Sequence, residues 1–321
     1  MRAIVAKPRG FCAGVERAIR VVELALQEHG PPIYVRKEIV HNLHVVERLR
    51  AQGAVFVHEL DEVPGGAVTV LSAHGSPPHV YENARRLNLR LIDATCPLVT
   101  KVHREVRRYA RQGYRIILIG HAGHDEVVGT MGQVPERTTL IKGLADIEQL
   151  RLQPGERGII LTQTTLSQDD TREITAELRR RFPQLEEPPT EDICYATQNR
   201  QNAVKRFCEE IDLLLVVGSR NSSNSCRLAE VGRARGVESH LIDRREDIQA
   251  AWLAGKKCIG VTSGASAPED IVQAVLQWLR AAGVQEIEEI DAPDEQVVFT
   301  LPKLVSSTPG QPGDAGAPDQ P

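Results

Sequence analysis

Cys12, Cys96 and Cys194 stand 84 and 98 residues apart, and each is followed by polar side chains at matching distances. A first polar cluster comes 29, 28 and 28 residues after them (at His41, His124 and Ser222), and a second comes after 62, 68 and 72 (at His74, Thr164 and Ser266). Thiolates are soft ligands, so three delivered to one point ask for a metal. Two metals stay open on these residues. A 4Fe–4S cluster usually takes four thiolates, and three would leave one iron free to meet a substrate. Zinc also accepts three thiolates, with a water in the fourth place. The chain has no Cys-x-x-Cys pair, so it is neither a zinc ribbon nor a linear ferredoxin-type motif. Cys208 and Cys258 are expected to be small buried apolar groups. Cys226, two residues past Asn224, is close enough in sequence to border the same pocket.

The polar clusters supply His41, His74, His124, Glu126, Thr164, Ser222, Ser223, Asn224 and Ser266. Imidazoles, hydroxyls and an amide in concave loops are the donors that wrap a phosphate or diphosphate. The chain has neither Gly-x-x-x-x-Gly-Lys-Ser/Thr nor Gly-x-Gly-x-x-Gly, so the anion is expected to be a small substrate's own diphosphate rather than a nucleotide's. Glu126, two residues from His124, could hold a proton beside a metal, as general acid work requires. His44, His58, His103 and His240 fall outside the repeat and are expected to be ordinary surface or core residues. The arginine runs (Arg104, Arg107, Arg108 and Arg111; Arg179 to Arg181) are expected to be solvated helix faces, with docking of an acidic electron carrier as the second use.

The elements that must position these groups repeat three times. Apolar residues at helical spacing predict helices over 14–29, 98–112 and 198–210, each just after a cysteine. Apolar runs then predict strands at 33–35, 115–120 and 212–218, and second strands at 67–71, 158–162 and 258–262, each ending in a polar loop. Runs such as Ile116-Ile-Leu-Ile119 suit parallel strands covered on both faces by helices. In open α/β sheets, ligand groups gather beyond the carboxyl ends of the strands. The fold class is therefore α/β, with three pseudo-threefold-related units aiming both polar loops and the thiols into one central pocket. The expected divisions are 1–96 (with the N-terminal strand), 97–193, 194–281, a C-terminal extension over 282–305 that packs back with a strand at 296–300, and a disordered Pro/Gly-rich tail over 306–321.

At 321 residues, 41% hydrophobic and 26% charged, the chain has ample material for cores, and with 4% aromatics those cores must be aliphatic. A net charge of −4 argues against a general nucleic-acid or anionic-membrane binder. The absence of a leader-like apolar stretch at the start, and of any run near membrane-span length, sets the expectation of a cytoplasmic protein.

Nine motifs in order give the chain a resemblance to the 4-hydroxy-3-methylbut-2-enyl diphosphate reductase family, running from Pro8 to about Leu304. They are Gly10-Phe-Cys12-Ala-Gly-Val, Glu38-Ile-Val-His41-Asn, Ser72-Ala-His74-Gly, Asp93-Ala-Thr-Cys96-Pro, Gly123-His124-Asp-Glu126, Thr162-Gln-Thr164-Thr-Leu-Ser, Ile193-Cys194-Tyr-Ala-Thr, Asn221-Ser222-Ser223-Asn224-Ser and Gly264-Ala-Ser266-Ala-Pro. The resemblance implies a trefoil of three α/β units and one 4Fe–4S cluster on Cys12, Cys96 and Cys194 with an open apical iron. It implies that His41, His74, His124, Ser222, Ser223, Asn224 and Ser266 hold the diphosphate, that Glu126 supplies a proton, and that Thr164 orients the substrate hydroxyl. The implied reaction is reductive removal of that hydroxyl to give isopentenyl and dimethylallyl diphosphates, with ferredoxin or flavodoxin as electron donor. Two other readings compete: a zinc hydrolase with Glu126 as base, and an iron–sulfur sensor that binds a diphosphate without turning it over.

Overall fold

The computed structural model describes residues 1–153, 155–290 and 295–302. The chain opens with β1 (Arg2–Val5), and three α/β units follow. The first has α1 (Ala13–His29), β2 (Ile33–Arg36), α2 (Leu43–Ala51), β3 (Ala54–Val57), β4 (Val68–Leu71), α3 (Pro78–Arg86) and β5 (Arg90–Asp93). The second has α4 (Pro97–Arg111), β6 (Arg115–Ile119), α5 (Asp125–Met131), β7 (Thr138–Ile141), α6 (Leu144–Ile147), β8 (Gly158–Thr162), α7 (Gln168–Arg181) and β9 (Leu185–Glu186). The third has α8 (Tyr195–Phe207), β10 (Leu213–Val217), α9 (Ser223–Ala234), β11 (Glu238–Ile242), β12 (Cys258–Ser263), α10 (Glu269–Ala281) and β13 (Glu286–Glu289).

The three sheets share one topology. Their strand orders are β3-β2-β4-β5, β7-β6-β8-β9 and β11-β10-β12-β1-β13, and all the pairings are parallel. The chain's first strand takes the place in the third sheet that β5 and β9 take in theirs. Sequence order groups that strand with residues 1–96, but Ala3 to Val5 are buried and need a neighbour on each side, and they find β12 and β13. The expected strand at 296–300 is also corrected. Residues 295–302 form no strand, and the strand pairing falls earlier, at β13. The tail expected over 306–321 lies outside the described residues.

The sequence explains these elements locally. On α1, Val15, Ala18, Ile19, Val22 and Ala25 form a buried stripe, and the helix stops at Gly30, whose φ of 72° favours glycine. In β6, Ile117 and Ile119 pack into one cluster with Ile160 and Leu178, while Ile116 and Leu118 pack into another with Val106 and Val127. Helices thus cover both faces of the sheet, and each such fully buried side chain contributes about 1.5–3 kcal/mol. Cores on every flank leave the carboxyl ends of the strands to meet at the centre. No helix among the described residues is long and apolar enough to cross a membrane.

Candidate active site

All three central cysteines are helix N-caps: Cys12 of α1, Cys96 of α4 and Cys194 of α8. Each is anchored through its own N–H to a carbonyl in a polar loop that follows a second strand. Cys12 bonds to Ala265 (3.1 Å), Cys96 to Ala73 (3.0 Å) and Cys194 to Thr164 (3.0 Å). Three helix N-termini, the positive ends of their dipoles, therefore face one cavity of about 110 Å3. The Cys194 sulfur also meets Thr197, at 3.1 Å from its hydroxyl and 3.4 Å from its N–H.

These residues fit a metal centre. Burial pushes the Cys96 thiol up to about 12 and the Cys194 thiol up to about 11, and the neighbouring thiols push in the same direction. Left bare, those thiols keep their protons; a coordinated metal is what would remove them. Gly14 leaves the room: a Cβ there would sit 2.8 Å from the Cys96 sulfur and 3.8 Å from the Cys12 sulfur.

The polar loops meet the same cavity. The imidazoles of His41 and His74 stack with centroids 4.0 Å apart, and His124 stands edge-on to both, at 5.3 and 5.9 Å. Burial, followed by the neighbouring imidazoles, holds His74 well below its ordinary range and His124 down at about 3. Glu38 binds His41 Nδ1 at 3.0 Å and accepts from the Asn221 amide at 2.7 Å, and the His41 bond draws its carboxyl below the usual range. Neither amide atom of buried Asn224 has a partner among the described residues, nor does His74 Nδ1. Orphaned buried polar groups of this kind are costly unless a ligand completes them. Ser222 caps α9 and Asn42 caps α2, so two further helix N-termini bear on this end. Ser266 donates to the His41 carbonyl at 3.0 Å, tying the third unit to the first. Ser223 Oγ lies 3.4 Å from the Gln163 amide nitrogen and donates to the Thr165 carbonyl at 3.4 Å.

Glu126 is 3% exposed, and burial raises its carboxyl to about 7 despite two bonds from Thr164 that favour its charged form. Its charge is felt by Cys194, and it feels that of His41, so it stands within electrostatic reach of the thiols and the imidazoles alike.

Cys12, Cys96, Cys194, His41, His74, His124, Glu126, Thr164, Ser222, Ser223, Asn224 and Ser266 all line this one cavity. Cys226 does not: its thiol donates to the Arg220 carbonyl at 3.1 Å. Cys208 and Cys258 are buried in an apolar cluster. Arg179, Arg180 and Arg181 pair with Glu187 or Glu177 on exposed surface. Sequence reasoning missed Glu38, Gly14 and Phe299 as parts of the site. Glu38 and Gly14 sit inside quoted motifs, three residues before His41 and two after Cys12, while Phe299 carries no local signal.

Fold and site together define a three-unit α/β protein built around one cavity lined by three thiols, three imidazoles and a buried carboxyl. The family model described as LytB protein matches residues 3–280, and the chain belongs to the 4-hydroxy-3-methylbut-2-enyl diphosphate reductase (LytB) family. The enzyme of that name from Acidothermus cellulolyticus is 57% identical over 302 residues, which cover 94% of this chain and 89% of the relative. The one from Mycolicibacterium paratuberculosis is 55% identical over 307 residues, covering 95% and 92%. Among solved structures, the E-1-hydroxy-2-methyl-but-2-enyl-4-diphosphate reductase of Plasmodium falciparum aligns with a TM-score of 0.92 at 40% identity, covering 94% of this chain and 95% of that one. A second structure, described as the terminal enzyme of the non-mevalonate pathway, aligns with a TM-score of 0.63 at 32% identity, covering 88% and 100%.

Proposed function

We propose that this chain is an iron–sulfur reductase that converts 4-hydroxy-3-methylbut-2-enyl diphosphate to isopentenyl and dimethylallyl diphosphates and water. One observation carries the proposal: a single cavity joins three N-cap thiols, three clustered imidazoles with an unpartnered amide, and a buried carboxyl held near neutrality. Cys12, Cys96 and Cys194 would hold the metal centre. When bound, a 4Fe–4S cluster on three sulfurs supplies one-electron transfer and an open coordination position on its fourth iron.

The chain's own side chains bind, orient and protonate. His41, His74, His124, Ser222, Ser223, Asn224 and Ser266 grip the diphosphate, with the N-termini of α2 and α9 behind them. Thr164 orients the substrate hydroxyl, and its bonds to Glu126 place the carboxyl beside it. The C–O bond breaks as two electrons arrive singly from a ferredoxin or flavodoxin. The oxygen leaves as water with the proton from Glu126, and a second proton, added at either end of the allyl unit, gives one product or the other. Each turnover thus consumes two electrons and two protons. We place the enzyme in the cytoplasm, with that carrier as its partner.

The test is iron and acid-labile sulfide per chain on protein purified without oxygen, followed by anaerobic turnover. About four of each supports the cluster, and product formation separates a reductase from a sensor. A zinc hydrolase has one feature in its favour, since ligand atoms of His41, His74 and Asp125 lie within 4.8 Å of one another. One zinc per chain with no sulfide, in protein never exposed to air, would establish that reading instead.

A further inference from the structure

Three cations recur in register with the three thiols. Arg17 lies five residues past Cys12, Lys101 five past Cys96 and Arg200 six past Cys194. Each reaches across to the peptide that leads into the next cysteine. Arg17 Nη1 donates to the carbonyls of Ala94 (3.2 Å) and Thr95 (3.1 Å), the two residues before Cys96. Lys101 Nζ donates to the carbonyls of Thr190 (3.0 Å) and Glu191 (3.1 Å) and pairs with Asp192 at 2.7 Å, all just before Cys194. Arg200 Nη2 donates to the carbonyl of Gly10 at 2.7 Å, two residues before Cys12, which closes the circle.

We propose that Arg17, Lys101 and Arg200 are positioning residues forming a cyclic clamp in which the helix behind each thiol fixes the next cysteine rather than its own. The proposal rests on the reading of the three thiols as one ligand set. A metal held by three sulfurs from three units demands that the units keep their relative placement, and among the described residues the only strand that joins a sheet outside its own run of chain is β1, ahead of Cys12, in the third sheet. Charge-assisted bonds to carbonyls provide that registration, since they are stronger than neutral hydrogen bonds and, unlike apolar packing, directional. The Arg200 side chain is fully buried, so its bond to the Gly10 carbonyl is shielded from water; the bonds of Arg17 are half-buried, and those of Lys101 to the Thr190 and Glu191 carbonyls are exposed, with only its Asp192 partner buried. Arg17 and Arg200 have a second duty. Arg17 Nε donates to the Thr300 carbonyl at 2.7 Å and Arg200 pairs with Glu295 at 3.1 Å, so the same cations pin the two ends of the segment whose Phe299 lines the cavity.

The clamp is directional, and residue-resolved alkylation of the reduced, metal-free full-length protein reads that direction. In Lys101→Met, N-ethylmaleimide should label Cys194 faster, on the order of fivefold as expected for loss of about one hydrogen bond from a local opening equilibrium, with Cys96 on the same helix as Lys101 little changed. In Arg17→Met, which strands no paired carboxylate among the described residues, Cys96 should accelerate and Cys12 should not; this variant decides the matter if Lys101→Met does not fold. Faster labelling of the cysteine on the mutated helix, an equal rise at all three thiols, or no rise at all overturns the clamp. The readout needs no metal, so a protein that shows the directional pattern yet binds no iron would refute the reductase reading and leave the clamp standing.

Discussion

The Glu126 carboxylate is held by a single residue from the facing loop: Thr164 donates its N–H to Oε1 at 2.6 Å and its hydroxyl to Oε2 at 3.0 Å. Both bonds favour the charged carboxylate, and burial outweighs them, leaving the group near 7. An acid poised there keeps a proton to give at neutral pH while remaining able to release it.

Turnover should therefore fall as pH rises through about 7, the range in which Glu126 loses its proton. Glu126→Gln should bind iron and substrate normally yet lose turnover by roughly 10²–10⁴-fold, the usual contribution of a positioned acid. Thr164→Val removes a bond that favours the ionised form, so the alkaline limb of its pH profile should move upward. Near-normal turnover in Glu126→Gln would sink the proton-donor role.

The same carboxyl carries a stability signature. Its value is raised from 4.5 to about 7 on folding, so the folded chain takes up a proton between those limits. That contribution is complete below about 4.5 and is lost as pH climbs through about 7. The amide of Glu126→Gln cannot ionise and escapes the loss. Metal-free Glu126→Gln should melt above the wild type at about pH 8, by up to about 3 kcal/mol at 1.36 kcal/mol per unit, and should match it near pH 4.5. Equal melting at both values would show that the carboxyl is not held neutral.

Gly14→Ala should fold and fail to load. Its methyl would lie 2.8 Å from the Cys96 sulfur, in space that a metal centre on these thiols must share. Most of the iron and sulfide should be missing after anaerobic reconstitution, with the circular dichroism of the metal-free protein unchanged. Full loading would mean that the thiols do not close around this point.

Asn224→Ala deletes an amide that has no partner among the described residues and so is placed to serve a ligand. A hydrogen bond to a charged group is worth about 1.5–3 kcal/mol, so KM for the diphosphate should rise about 10- to 150-fold with kcat little altered. An unchanged KM would place the diphosphate elsewhere.

Glu38→Gln weakens the bond that orients His41 and the tie from Glu38 to Asn221 at the junction of the first and third units. Substrate affinity should drop severalfold, and the imidazole resonances of His41 should shift in the metal-free protein. Unchanged resonances would reduce Glu38 to a surface carboxylate.

Much of this molecule is legible along the chain. Helical and apolar periodicity locate the long helices and the inner strands because burial imposes those patterns residue by residue. The threefold register of Cys12, Cys96 and Cys194 with two polar loops each is visible because all three units use one strand order. The edge strands β3, β7 and β11 escape notice, since they are short and only partly covered: β3 is four residues long and leaves Val55 exposed, and β11 contains Glu238 and His240. Which sheet receives β1 is likewise hidden, because its neighbour β12 lies some 250 residues away.

The sequence by itself determined the donor set: which thiols, imidazoles, hydroxyls and carboxyl are available, and at what spacing. Tertiary structure alone decided what those groups become. It made three cysteines N-caps around one cavity, raised Glu126 to about 7 by shutting out water, left the Asn224 amide without a partner among the described residues, brought Phe299 to the cavity and carried the cations Arg17, Lys101 and Arg200 to the peptides ahead of the cysteines. Desolvation and long-range hydrogen bonds depend on which distant segments meet, and spacing along a chain does not encode that directly.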